Sequence, residues 1–331
     1  MKKCILVLGV TLLFFAAGVI AADDSNNPTV VSVSLSKNQI TVIDSVLKQY
    51  GNKPENEHLN TIRQMGAPAV EELKKRAKNS RRDWVERVSC IGILEAVDGV
   101  NSTDTLYEIL SDQSARPYVR MTAARSLGRI GRERDKVLFE KLKMLAAAEK
   151  KVEVRRDIVY STGKVGQKEA ILYLVGIING NEDIHVKYSA IFGLGEIHDD
   201  SVNKILIDGL ENGSDELSIT YADVVKKRRV REAVPIILEK LRILGHMNDT
   251  ASGGRRIAFF DALGSIGDNS IIAELKQFTF HDNLLISEDA CVALLKLGDT
   301  SQFDYVLKRA KVAGEANMEK RLRSAFALYL R

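Results

Sequence analysis

The sequence predicts an all-α chain, a right-handed α-solenoid (superhelix) of about eight antiparallel helix hairpins. Three observations point there. The segment VRMTAARSLGRIG at residues 119–131 recurs with its apolar and small residues in the same order. The copies keep a nearly constant period. Each is followed at once by a stretch with apolar residues three or four apart, the mark of one buried helix face.

The clear copies are RVSCIGILEAVD (87–98), RRDIVYSTGKVG (155–166), KYSAIFGLGEIH (187–198) and RIAFFDALGSIG (256–267). Weaker ones are TIRQMG, ending at Gly66, and SEDACVALLKLG, ending at Gly298. Their last residues fall at 66, 98, 131, 166, 198, 267 and 298, so the steps are 31 to 35 residues, apart from one of 69. That long step is about two periods.

Taken in order, residues 1–22 read as a signal peptide. Lys2 and Lys3 precede the apolar run CILVLGVTLLFFAAGVIA, and small residues fit cleavage after Ala21 or Ala22. The alternative is a retained anchor, for which the run is barely long enough. Cys4 precedes the apolar run and is not placed as a lipid-carrying first residue. The short basic start looks bacterial, so the expected location is periplasmic or secreted. Residues 23–36 are a loosely ordered leader, and 37–331 form a single solenoid domain. KNQITVIDSVLKQYG (37–51) has helical apolar spacing and should cover the open end of the array.

The repeats begin near residue 55 as pairs of helices, A and B. In the clearest A helix Val119, Ala123, Leu127 and Ile130 share one side. Gly128 admits a close neighbour, and Gly131 can take positive φ to end the helix. Gly166, Gly267 and Gly298 hold the same place. The B helices are read at 67–77, 102–110, 136–145, 168–178, 201–210, 270–278 and 301–310, and short turns make each A and B an antiparallel hairpin.

Residues 212–255 depart from the pattern. They are read as a divergent repeat with a kink near Pro235, rather than as an insertion. HMNDTASGG (246–254) has the composition of an exposed loop. EKRLRSAFALYL (319–330) is a lone terminal A helix, whose Tyr329 and Leu330 cover the last repeat or join a dimer.

Composition narrows the class. Of 331 residues, 45% are hydrophobic, 28% are charged and only 5 are Pro, which excludes a disordered chain. The net charge of +4 includes Lys2 and Lys3, too weak a bias for nucleic acid. Aromatics at 6%, with one Trp, supply no stacking platform. Cys90 and Cys291 stand in different repeats at small apolar positions and read as buried free thiols. Trp84 reads as a partly buried anchor at a helix start.

The period, the VR..A...LG.IG form and the second helix that follows resemble the HEAT-like repeat family (ARM-type fold), in the short form first associated with phycobilisome lyases. The resemblance covers roughly residues 55–330. It implies A helices on the convex side and B helices on a concave, partner-binding side. Members include chromophore lyases, hydroxylases with metal-binding His-Glu pairs, and scaffolds.

Several groups are functional candidates. Arg87, Arg120, Arg155, Lys187 and Arg256, with Arg321 in register, open successive A helices. They form either a basic ladder for an acidic partner or structural ties to neighbouring acids and free carbonyls. Their recurrence in one register of the repeat favours the ties. VVKKRRVR (224–231) gathers Lys226, Lys227, Arg228, Arg229 and Arg231 as a docking patch for an anionic surface. ARPYVR (115–120) and NSRRDW (79–84) are weaker versions. On the B face Glu72, Lys75, Glu108, Lys141, Lys143, Glu169, Lys204, Glu274 and Lys308 mix signs, which suits a protein partner.

The five His form no HExxH or Cys/His pattern. Glu196 and His198, with Asp199 and Asp200 beyond, are the nearest analogue of a metal pair, and His246 and Asp249 lie in the later loop. There is no G-x-S-x-G and no phosphate-cradling Gly loop. The expected function is an exported, non-catalytic scaffold that binds another protein through its B face, with no cofactor and no nucleic acid. Membrane contact is expected only through an uncleaved signal or at the periphery. The alternatives are a lyase-like enzyme or enzyme helper acting on a chromophore or protein-bound group, and an anionic-surface binder through residues 226–231.

Overall fold

A computed structural model describes residues 35–50, 56–131, 136–245 and 250–330. The expected signal peptide, the leader as far as residue 34, and His246 and Asp249 lie outside the described residues. The described helices belong to one compact unit, Leu35–Arg331. Among its described residues there are α-helices and short 3-10 turns, and no strand.

The apolar spacing becomes helix at nearly every predicted place. The end helix α1 spans Lys37–Tyr50. A and B helices then alternate: α2 (Asn56–Met65) and α3 (Ala67–Lys78), α4 (Trp84–Val97) and α5 (Thr103–Ser111), α6 (Pro117–Ile130) and α7 (Lys136–Ala148), α8 (Val152–Gly166) and α9 (Ala170–Asn179). Next come α10 (Ile184–Gly195) and α11 (Ser201–Asn212), α12 (Asp215–Arg228) and α13 (Val234–Leu244), α14 (Thr250–Ile266) and α15 (Ile272–Phe278). The last are α16 (Leu284–Lys296) and α17 (Phe303–Val312), followed by α18 (Ala316–Tyr329).

Local chemistry sets many of the starts. Ser36 and Gln39 make a reciprocal capping box before α1: each backbone N–H donates to the other side chain, at 2.8 and 3.3 Å. The last leader residue is therefore held, not loose. Asp83, Asp183 and Asn283 cap α4, α10 and α16 by accepting from the backbone N–H two residues on. Pro68, Pro117 and Pro235 sit in first turns, where a missing N–H costs nothing. The kink expected at Pro235 does not form, because α13 begins there.

The A helices pack in sequence, each against the next. Each B helix packs most closely against the A helix that follows it, rather than against its own. Ile62, Leu94, Leu127, Ile158, Leu194, Val225, Leu263 and Leu294 are fully or almost fully buried along this line, so one apolar core threads the stack. Residues 212–255 are no gap in it. Helix α12 lies between α10 and α14, and α13 packs on α14.

Two further expectations fail for physical reasons. Gly131 (φ −77°) and Gly166 (φ −80°) do not adopt positive φ. What they supply is space, since a Cβ would lie 2.6 Å from Leu138 at Gly131 and 2.5 Å from Phe139 at Gly166. The left-handed turn passes to Gln167 (φ 45°), while Gly267 and Gly298 take φ of 81° and 82° as expected. Second, TASGG of the predicted loop is the opening of α14. Ser252 is buried there, and Arg255 pairs with Asp215 of α12, so stacking overrides the turn composition.

Candidate functional site

The residues that open the A helices are mostly tied inward. Arg87 and Arg120 are buried, and each Nε donates at 2.8 Å to a carbonyl near the C-terminal end of the preceding B helix, Ala77 and Leu110 respectively. Arg120 also pairs with buried Glu149. Arg155 reaches Glu182 at 2.6 Å, Arg256 reaches Asp289 at 3.0 Å, and Arg321 grips Glu288 through two bonds of 2.7 and 2.6 Å. These ends of helices carry unpaired carbonyls and partial negative charge, so a guanidinium there closes the joint between repeats. Lys187 is the exception. It is half-buried and has no hydrogen-bond or ion-pair partner among the described residues.

The cluster at 226–231 is partly spent within the fold. Lys226 bonds Asp223 at 2.7 Å and Asp261 at 2.8 Å. Lys227 pairs with Glu196. Arg228 donates to the carbonyls of Ile197 (2.6 Å) and Asp199 (3.1 Å) beyond α10, and to Asn203 (2.9 Å). Arg229 adopts φ 54° to end α12, and Lys227, Arg229 and Arg231 stay exposed. Lys226 and Arg228 are thus turned toward neighbouring repeats, while Lys227 makes its pair with Glu196 from an exposed position.

Glu196 and His198 are engaged separately. Glu196 accepts from the Tyr160 hydroxyl at 3.0 Å and pairs with Lys164 and Lys227. Burial opposes its charge, but the bonds from Lys227 and Tyr160 and nearby Lys164 outweigh it and hold the carboxyl below its ordinary range. His198 is exposed, and its backbone N–H bonds Gln167 at 3.0 Å. No group of three or more His, Cys, Asp or Glu suited to a metal occurs among the described residues.

Glu196 belongs to a set of inter-repeat ties that sequence reading missed. Glu95 of α4 receives Arg129 and Ser126 of α6. Asp261 of α14 lies between Lys226 of α12 and Lys296 of α16. The signal was available as opposite charges one repeat apart.

Cys90 and Cys291 are buried and free, and burial pushes both thiols up to about 12. Trp84 is half-buried and meets Tyr118 edge-on, with ring centres 5.4 Å apart.

The B-helix face is different in kind. Lys75, Glu108, Glu169, Lys204 and Lys308 are exposed there, while Glu72, Lys141, Lys143 and Glu274 are half-buried. Some are spent on neighbours: Glu72 on Arg76, Glu108 on Lys78, Lys143 on Glu140 and Glu274 on Arg242, while Lys141 lies over the Tyr107 ring. Between these charges stand Val137 and Met144 of α7, Leu172 of α9 and Val312 of α17, exposed by 67%, 70%, 84% and 83%. Outside the B helices, among the described residues Leu328 of α18 at 68% and Val100 of the turn before α5 at 65% come level with them.

Two concavities bear on function. A cleft of about 540 Å³ opens between α9 and α11, with α10 and α12 beneath. Ile171, Leu172, Val175 and Ile205 give it apolar walls, and Lys187 and Tyr221 face it. A groove of about 620 Å³ lies among the A helices α14, α16 and α18. It is lined by Ile257, Leu285 and Leu328, but Arg256, Arg321 and Lys296 within it are already paired with Asp289, Glu288 and Asp261.

No protein-family model matches the chain, and no curated protein matches it in sequence. Among solved structures, the chain is similar to human deoxyhypusine hydroxylase in complex with glycerol, at 18% identity and a TM-score of 0.34, over 79% of this chain and 97% of that one. It is also similar to YibA of Escherichia coli, at 18% identity and a TM-score of 0.46, over 85% of this chain and 97% of that one. That one of these is an enzyme overturns the expectation that the chain is not one. At this level of likeness no reaction is assigned to it.

Proposed function

We propose that the chain is a protein-interaction scaffold that holds a partner against its B-helix face. We read its helix pairs as HEAT-like repeats of the short, phycobilisome-lyase type, about eight in number and wound into a right-handed superhelix. We also propose export to the periplasm or beyond, on the strength of Lys2, Lys3 and the apolar run that follows.

The observation that carries the binding reading is the row of apolar side chains on B helices: Val137, Met144, Leu172 and Val312. A stacked array buries its apolar residues between repeats, so large ones left standing on one face have work outside the fold. The mixed charges around them suit the rim of a protein interface. The ties made by Lys226, Lys227 and Arg228 count against the anionic-surface reading.

Affinity capture with the chain lacking residues 1–22, read by mass spectrometry, tests this. A specific partner is expected to be retained by the parent chain and lost on Met144→Glu and Leu172→Glu. The Leu328→Glu variant, altered on α18, should keep it. Equal capture by all four proteins would overturn the B-face assignment.

A further inference from the structure

We infer that the cleft between α9 and α11 is a recognition site for a peptide segment carrying one carboxylate among apolar side chains, with Lys187 and Tyr221 as the donors that bind the carboxylate. This rests on, and sharpens, the proposal that the B-helix face binds protein.

The first ground is the repeat itself. Where Arg87, Arg120, Arg155 and Arg256 occupy the opening position of helix A, the cation is taken by a carbonyl or an acid within the fold. At Lys187 the cation is left without a partner, and the cleft opens at that same repeat. The second ground is Tyr221. Its ring packs against Gly209 of α11 where any Cβ would collide with it, so the absence of a side chain at 209 seats the phenol under the cleft. Burial disfavours its ionised form, which keeps the hydroxyl a donor, and the hydroxyl has no hydrogen-bond partner among the described residues. Two uncommitted donors thus face one concavity.

The walls supply the rest of the specificity. Ile171, Leu172, Val175, Ile205 and Leu217 present apolar surface. The volume suits a few side chains rather than a whole domain. Asp208, exposed on α11, also lines the cleft. A second negative charge on the ligand would approach it, so a lone carboxylate is accepted and a polyanion is repelled.

The test uses short peptides, acetylated and amidated at their ends, and the chain lacking residues 1–22. One peptide has a single central aspartate among leucine and valine, a second has asparagine in its place, and a third is poly-aspartate. Calorimetry should show the aspartate peptide bound roughly tenfold more tightly than the asparagine one, the worth of a charge-assisted hydrogen bond. Lys187→Gln should erase that preference, Lys187→Arg should keep it, and Tyr221→Phe should reduce it. Leu172→Glu should weaken both neutral-flanked peptides. Circular dichroism melts check that each variant is folded. Equal binding of the aspartate and asparagine peptides, stronger binding of poly-aspartate, or a preference that survives in Lys187→Gln would each overturn the site. The two proposals fail separately: capture of a partner without any carboxylate preference removes the cleft assignment alone, and a carboxylate preference without capture removes the scaffold reading.

Discussion

Arg120 and Lys187 hold the same place in different repeats and do opposite things. The Arg120 guanidinium is buried against the Leu110 carbonyl and Glu149, and it joins one repeat to its neighbours. Lys187 is half-buried, unpaired among the described residues and open to a cleft. A guanidinium has enough donors to meet a carbonyl and a carboxylate at once, whereas an ammonium is a compact charge that stays hydrated. One position therefore serves assembly where it is Arg and is available to a ligand where it is Lys.

The contrast can be broken most forcefully at its closed end. Arg120→Ala leaves Glu149 buried without its cation, and a loss of about 3–5 kcal/mol of stability is expected, read by urea unfolding. Glu149 shows how strongly it is held: despite burial, the bond from Arg120 keeps its carboxyl below the ordinary range. A tie with the opposite pH behaviour is Arg256–Asp289. Burial pushes Asp289 from 3.8 up to about 6, against Arg256 and Arg321 and with help from Glu288. Between those values the folded chain keeps a proton that the unfolded chain has released. This group's contribution to stability thus falls as pH rises from about 4 to about 6 and levels off above. Asp289→Asn should remove that slope, worth about 3 kcal/mol, in melts across pH ~4 to ~7.

Between these two repeats, α8 and α10 meet backbone to backbone at Gly163 and Gly193. Gly163→Ala would force them apart, at a cost of roughly 1–3 kcal/mol in the same unfolding experiment. The smallest effect belongs to the open end. Lys187→Gln should change stability by less than about 0.5 kcal/mol while altering ligand preference. A large destabilisation there would mean that Lys187 is another structural tie.

Much of the fold was legible in the chain. The three-and-four spacing of apolar residues marks a helix because one side must face a core, and the near-constant period marks stacking because each repeat needs the next to bury that side. The errors fall where local composition and packing disagree. TASGG reads as a loop, but Arg255 and Ser252 are drawn into the stack. Gly131 reads as a left-handed helix end, but Leu138 needs its space. Lys226 to Arg231 read as one patch because they are adjacent in sequence, yet a helix points neighbouring residues in different directions. The candidate site was the least visible. Lys187 looked like one more member of the Arg series, and Tyr221 carried no signal at all.

Sequence alone determined that this chain makes helices, roughly where they begin and end, and that they repeat, because those properties depend on residues within one or two turns of each other. Only tertiary structure decided which charges are spent and which remain. Whether Arg120 or Lys187 finds a partner depends on carbonyls and carboxylates brought alongside from other helices, and no spacing along the chain records that meeting.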